Sequence, residues 1–92
     1  MTIRWTRTAL RDLEALESYI AQDKPAAAAA VAALVIDGIE GLQRHPEMGR
    51  KGRIAGTREL VITPYVVAYR LRRTVVDVVA IIHGARKWPE SL

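Results

Sequence analysis

Val75-Val76-Asp77-Val78-Val79-Ala80-Ile81-Ile82-His83 is the stretch on which the fold turns. It is almost continuously apolar and rich in β-branched residues, the pattern of a strand buried on both faces and therefore central in its sheet. Strand alternation places Asp77 and His83 on one face. Val76, Val78, Ala80 and Ile82 fall on the other, which is expected to meet helices.

Reading toward the N-terminus, Tyr65 to Leu71 and Arg58 to Ile62 are also strand-like, and Arg72-Arg73-Thr74 is short enough to close a hairpin. In the first of these, Tyr65, Val67, Tyr69 and Leu71 oppose Val66, Ala68 and Arg70, and the face with Arg70 is expected to be open. Pro46 to Thr57 carries three glycines with Arg50, Lys51 and Arg53 but no apolar period, so it reads as a basic loop.

The first half is helical. Leu10, Leu13, Leu16 and Ile20 recur at helical intervals after Thr6 or Thr8, either of which can cap the helix, and the pattern ends near Gln22. Pro25 then suits the first position of a second helix, whose expected apolar stripe is Val31, Leu34, Val35, Ile39 and Leu42. Alanines between them permit close helix–helix approach. Ile3-Arg4-Trp5 reads as a short opening strand. The predicted order is β-α-α-β-β-β, an α+β fold.

Composition narrows the class. Ninety-two residues, half of them apolar, are expected to form a single domain over 1–92. With no cysteine, neither a disulfide scaffold nor a thiolate metal site is available, and a cytoplasmic location is expected. No run of the required length supports a membrane span, and no cofactor or metal motif is seen. Residues 1–45 hold five Lys/Arg against six Asp/Glu (−1), whereas residues 46–92 hold nine against four (+5). Concentrated basic charge points to an anionic or nucleoprotein partner.

Several blocks then resemble the RelE/ParE toxin superfamily in the family's order: Thr6 to Leu13 through Tyr19-Ile20, Leu42 to Gly49, Gly56 to Leu60, Tyr65 to Arg70, and His83 to Pro89. The resemblance implies a four-stranded antiparallel sheet with a helical hairpin on one face. It also implies a toxin of a type II toxin–antitoxin module, with a cognate antitoxin as partner in a hetero-oligomer. Two activities occur in that superfamily: RelE-like members cut messenger RNA on the ribosome, and ParE-like members poison DNA gyrase.

In the ribonuclease branch an arginine follows the residue that opens the third strand, where this chain has Val66. Valine cannot donate to a developing phosphorane, and losing one such donor costs on the order of 10²-fold in rate. The reading is therefore a ParE-like gyrase inhibitor, closer to that branch. The alternatives are a ribonuclease with Arg58, His83 and Arg86 as a reduced site, or a degenerate member that only binds antitoxin.

Candidate target-binding residues are Arg50, Lys51, Arg53, Arg58, Arg86, Lys87 and Trp88. The basic loop can clamp phosphates or simply be solvated. Trp88 can anchor a partner or pack back on the sheet. His83 can act as an acid–base group or fasten the C-terminal turn. His45 reads as a helix terminator, Arg72 and Arg73 as a hairpin tip, and Asp12 as a partner of Arg7 and Arg11 on its own helix, without chemistry.

Overall fold

The computed structural model describes residues 1–92. Its elements are β1 (Thr2–Trp5), α1 (Arg7–Ala21), α2 (Pro25–Gly41), β2 (Arg50–Lys51), β3 (Arg58–Ile62), β4 (Tyr65–Arg72) and β5 (Val75–His83). No helix is long and apolar enough to cross a membrane.

The strands form one five-stranded sheet in the order β1-β5-β4-β3-β2. This corrects the expected four antiparallel strands in two ways. Arg50-Lys51, expected within a loop, pairs with Glu59 and Arg58, and β1 runs parallel to β5. The extra strand has a side-chain cause, because Glu59 draws in guanidinium groups from both Arg50 and Arg53. β5 is paired on both sides, by β1 and β4, as its sequence predicts.

The α1–α2 hairpin covers one sheet face. Thr6 is the cap of α1, its Oγ1 accepting from the Ala9 N–H at 3.2 Å. The core beneath the hairpin includes Val35, Ile39, Leu42, Val67, Tyr69, Val76 and Val78. Two stripe assignments need correction: Leu34 is 62% exposed and Leu10 45%, while Ala9, Ala28 and Ala32 are buried. Small residues occupy the seam because close helix approach leaves no room for leucine there.

β5 does not alternate throughout. Tyr69 pairs with Val78 and Ala68 with Ala80, so Val79 is a bulge. Beyond a bulge the alternation reverses. Val76 and Val78 face the hairpin as expected, but Ala80 and Ile82 do not. Ile81 and His83 take the hairpin side instead, aligned with Val67 and Tyr65.

Helix α1 satisfies the polar groups that this irregularity exposes. Thr6 Oγ1 donates to the Val78 carbonyl at 2.8 Å, and Asp12 Oδ2 accepts from the Ile81 N–H at 2.9 Å. Asp12 thus has a structural partner 69 residues away, rather than the intrahelical pairing its neighbours imply.

Candidate functional site

The outer face of the sheet, opposite the hairpin, is built by β-strand register. Arg4 is aligned with Asp77, Asp77 with Arg70, Ala68 with Glu59, and Glu59 with Arg50. Aligned residues share a face, so arginines and two carboxylates are gathered around a floor of small apolar side chains. That floor is not open as expected: Val66 is 5% exposed, Ala68 0% and Ala80 3%. The C-terminal segment closes over it, with Arg70 donating to the Leu92 main-chain oxygen and Arg53 stacked 3.7 Å from the Trp88 ring centre.

Glu59 organises the β2 side of this face. Arg50 Nη2 donates to its Oε1 at 2.9 Å, and the Arg53 backbone N–H and Nε donate to its Oε2 at 2.8 and 3.2 Å. Burial alone pushes the Glu59 carboxyl up. The Arg53 backbone bond and the two guanidinium groups outweigh it and hold the group below its ordinary value of 4.5. Asp77 organises the β1 side, taking Arg4 on Oδ1 at 3.0 Å and Arg72 on Oδ2 at 2.9 Å.

Arg58 stands on the hairpin side, aligned with Tyr69. Its Nη1 donates to the Gly49 carbonyl at 2.7 Å and the Glu47 carbonyl at 3.3 Å. The Tyr69 hydroxyl donates to the Pro46 carbonyl at 2.7 Å and accepts from the Gly49 N–H at 2.9 Å. Together they staple Pro46 to Gly49 onto the sheet. A Cβ at position 49 would come within 2.6 Å of the Tyr69 hydroxyl, so the approach requires glycine. Burial raises the Tyr69 hydroxyl above its ordinary value of 10.0, against the Gly49 hydrogen bond and Arg58, which lower it.

A recess at the end of the sheet, between α1 and the ends of β4 and β5, is lined by Asp12, Tyr19, Tyr65, His83 and Arg86. His83 meets Tyr65 edge-on, with ring centres 5.5 Å apart, and its Nδ1 accepts from the Ala85 N–H at 3.1 Å. The histidine therefore fastens the C-terminal turn. Burial raises the Asp12 carboxyl above 3.8, opposed by the Ile81 N–H and by the charge of Arg86.

The residues singled out in the sequence thus fall into separate groups. His83 and Arg86 share the recess, while Arg58 lies on the far side of β4, about 16 Å from His83 by strand spacing and rise. Arg50, Arg53 and Trp88 meet on the outer face; Lys51 and Lys87 are exposed without ion pairs. Sequence reasoning missed Glu59 and Asp77 as anchors and Arg4, Arg70 and Arg72 as their surroundings. Alternation placed Arg70 correctly, but only strand order could bring Arg4 beside Asp77.

A helical hairpin packed on one face of a mixed sheet matches the fold of the RelE/ParE toxins. Residues 3–88 match the family model described as "ParE toxin of type II toxin-antitoxin system, parDE". The chain is 42% identical over 92 residues to Putative toxin Y4kP of Sinorhizobium fredii, covering 98% of this chain and 95% of that protein. It is 41% identical over 83 residues to Toxin RelE2 of Caulobacter vibrioides, covering 89% and 93%.

Among solved structures, one described as the chromosomal ParDE toxin–antitoxin system from P. aeruginosa superposes with a TM-score of 0.82 at 23% identity, covering 90% of this chain and 95% of that one. The RelBE2 toxin–antitoxin complex from Mycobacterium tuberculosis gives 0.67 at 28% identity, covering 89% and 95%. The chain belongs to the ParE toxin family of type II toxin–antitoxin systems.

Proposed function

We propose that this toxin arrests growth by binding DNA gyrase and trapping its cleaved complex with DNA, and that a cognate antitoxin neutralises it in a hetero-oligomer. The observation that carries the reading is Val66. It occupies the position of the ribonuclease branch's phosphate-directed arginine, and it is buried on the outer face at 5% exposure. Its side chain offers no donor to a transition state.

Of the reduced ribonuclease set, His83 and Arg86 share the recess but Arg58 lies about 16 Å away, which supports the same reading. Arg58 spends its Nη1 on two backbone carbonyls, and His83 Nδ1 is engaged by the Ala85 N–H. Binding RNA without a group that acts selectively on the transition state would not accelerate cleavage. Exposed Arg86, Lys87 and Lys51 remain to contact the target.

A second reading, ribosome-dependent messenger RNA cleavage, is favoured by the 41% identity to the relative named RelE2. One experiment separates the two. Purified toxin incubated with gyrase and plasmid is expected to accumulate cleaved plasmid, and to leave messenger RNA intact on programmed ribosomes. Cleavage of that RNA, lost in Arg86→Ala or His83→Ala, would overturn the gyrase reading. Normal growth with verified soluble expression would identify a degenerate member.

A further inference from the structure

The outer face gathers five guanidinium groups, from Arg4, Arg50, Arg53, Arg70 and Arg72, around only two strand carboxylates, Glu59 and Asp77. Five against two leaves an excess of three positive charges among these side chains. The acids are 2% and 3% exposed, whereas the arginines above them are not: the side chains of Arg4 and Arg72 are 66% and 69% exposed, and those of Arg50 and Arg53 are 57% and 45%. Each carboxylate therefore fixes two arginines from beneath.

A guanidinium has five N–H donors. Arg4 spends one on Asp77 through Nη1, while Arg72 is held by an ion pair from its Nε to the same carboxylate, leaving the other donors on groups whose positions are already set. Asp77 and Glu59 lie two strands and two residues apart in register, a separation of about 12 Å from sheet spacing and rise. The two pairs can thus engage different phosphates, while Arg70 between them is held by the Ala55 carbonyl and the Leu92 main-chain oxygen.

What the face lacks also selects its ligand. Unpaired bases are bound on exposed aromatic platforms. The outward residues of β3, β4 and β5 include Val61, Val66, Ala68, Ala80 and Ile82 but no aromatic one. The tryptophan nearby, Trp88, is capped by Arg53 and has its Nε1 buried.

We propose that this face, through the carboxylate-anchored pairs Arg4/Arg72 and Arg50/Arg53, is a sequence-independent binding site for the phosphate backbone of duplex DNA. The choice of DNA over duplex RNA rests on the gyrase reading; the duplex-phosphate chemistry does not. On that reading, the toxin touches the DNA segment as well as the enzyme that cuts it.

The test is fluorescence anisotropy of the full chain with a labelled mixed-sequence 20-base-pair DNA, titrated across salt in the absence of gyrase. Each neutralised phosphate contributes about 0.9 to the slope of log affinity against log salt. Arg4→Gln/Arg72→Gln is expected to flatten the slope by about 2 and to weaken binding roughly tenfold at 0.1 M salt. Arg7→Gln/Arg11→Gln removes the same charge from α1 and should change affinity less than about twofold. Equal losses in the two double variants would overturn the site.

Asp77→Asn raises the net charge by one but releases both arginines, so its affinity should be no higher than that of the parent. Tighter binding would overturn the anchoring. If Arg4→Gln/Arg72→Gln does not fold, Arg4→Gln/Arg72→Gln/Asp77→Asn removes the buried acid as well and is read against the same control. Stronger binding to single-stranded RNA than to duplex DNA would overturn the ligand class, and equal binding to duplex RNA would overturn the assignment to DNA. Because gyrase is absent, the result is distinct from failure of plasmid cleavage.

Discussion

On the hairpin side of the sheet, Val67, Tyr69, Val76 and Val78 are fully buried among aliphatic side chains, while on the outer side Glu59 and Asp77 are nearly as buried beneath arginines. Equal burial has unequal worth. Each large apolar side chain removed from water contributes about 1.5 to 3 kcal/mol, whereas an ion pair whose arginine remains largely in water contributes about 0 to 1. The hairpin side therefore holds the chain together. The outer side spends little on stability and fixes the direction of charged groups, which is what a binding face needs.

The sharpest way to break this contrast is a carboxylate under the hairpin. Val76→Asp places an unpaired charge at a site with 0% exposure, where no arginine waits. We expect loss of the folded state, seen as absent cooperative thermal unfolding by circular dichroism. Asp77→Val, one residue along and on the other face, should remain folded. If Val76→Asp melts like its parent, the assignment of β5's faces before the bulge is wrong.

Glu59→Gln probes the outer side. The amide keeps the shape but loses the charge that gathers Arg50, Arg53 and the Arg53 N–H, a cost of about 2 kcal/mol in urea unfolding at pH 7. The sign of the pH effect follows from the lowered pKa. Its stabilisation is present above the ordinary value of 4.5 and is lost as pH falls through the depressed folded value. The parent should therefore lose more stability than Glu59→Gln on acidification below 4.5. Parallel acid limbs would mean that Glu59 is not held ionised by these arginines.

The same contrast governs what was legible in the sequence. The hairpin side follows from period and capping alone: Thr6, Pro25 and the strands 58–62, 65–72 and 75–83 stand near their expected places. The outer side depends on register, which period does not encode. Arg4 meets Asp77 only because β1 inserts parallel to β5, and His83 changes faces only because Val79 bulges. Nothing in a continuous run of Val, Ala and Ile marks which residue will be skipped. The signal available was polar: Thr6 at the cap of α1 and Asp12 within it answer the irregular backbone at Val78 and Ile81.

Asp12 has a pH response of the opposite sign to that of Glu59. Its folded pKa is raised above 3.8, so the associated stability is fully present below that value and is lost as pH rises through the raised one. Asp12→Ala removes the acceptor of the Ile81 N–H and should cost about 1 to 3 kcal/mol. Asp12→Asn keeps an acceptor while removing the charge, so it should match the protonated parent at low pH, lack the parent's loss of stability above 3.8, and be at least as stable as the parent at pH 7. An Asp12→Asn variant as unstable as Asp12→Ala would show that the charge, rather than the hydrogen bond, secures the bulge.

The smallest expected effect lies at the tip joining β4 to β5, where the two faces meet at Arg73. This residue has φ +41°, in the left-handed region where a side chain with a Cβ is strained. Asparagine tolerates that conformation better, and Arg73 forms no ion pair that the change would break. Arg73→Asn is therefore expected to stabilise the chain by about 0.5 kcal/mol, raising Tm by about 2 to 4 °C. Arg73→Gly should gain less, because glycine also frees the unfolded chain. Arg72→Asn, one residue earlier, is expected to do the reverse, since it takes a guanidinium from Asp77. Equal stabilisation by Arg72→Asn and Arg73→Asn would show that backbone strain at the tip matters less than the total positive charge crowded there.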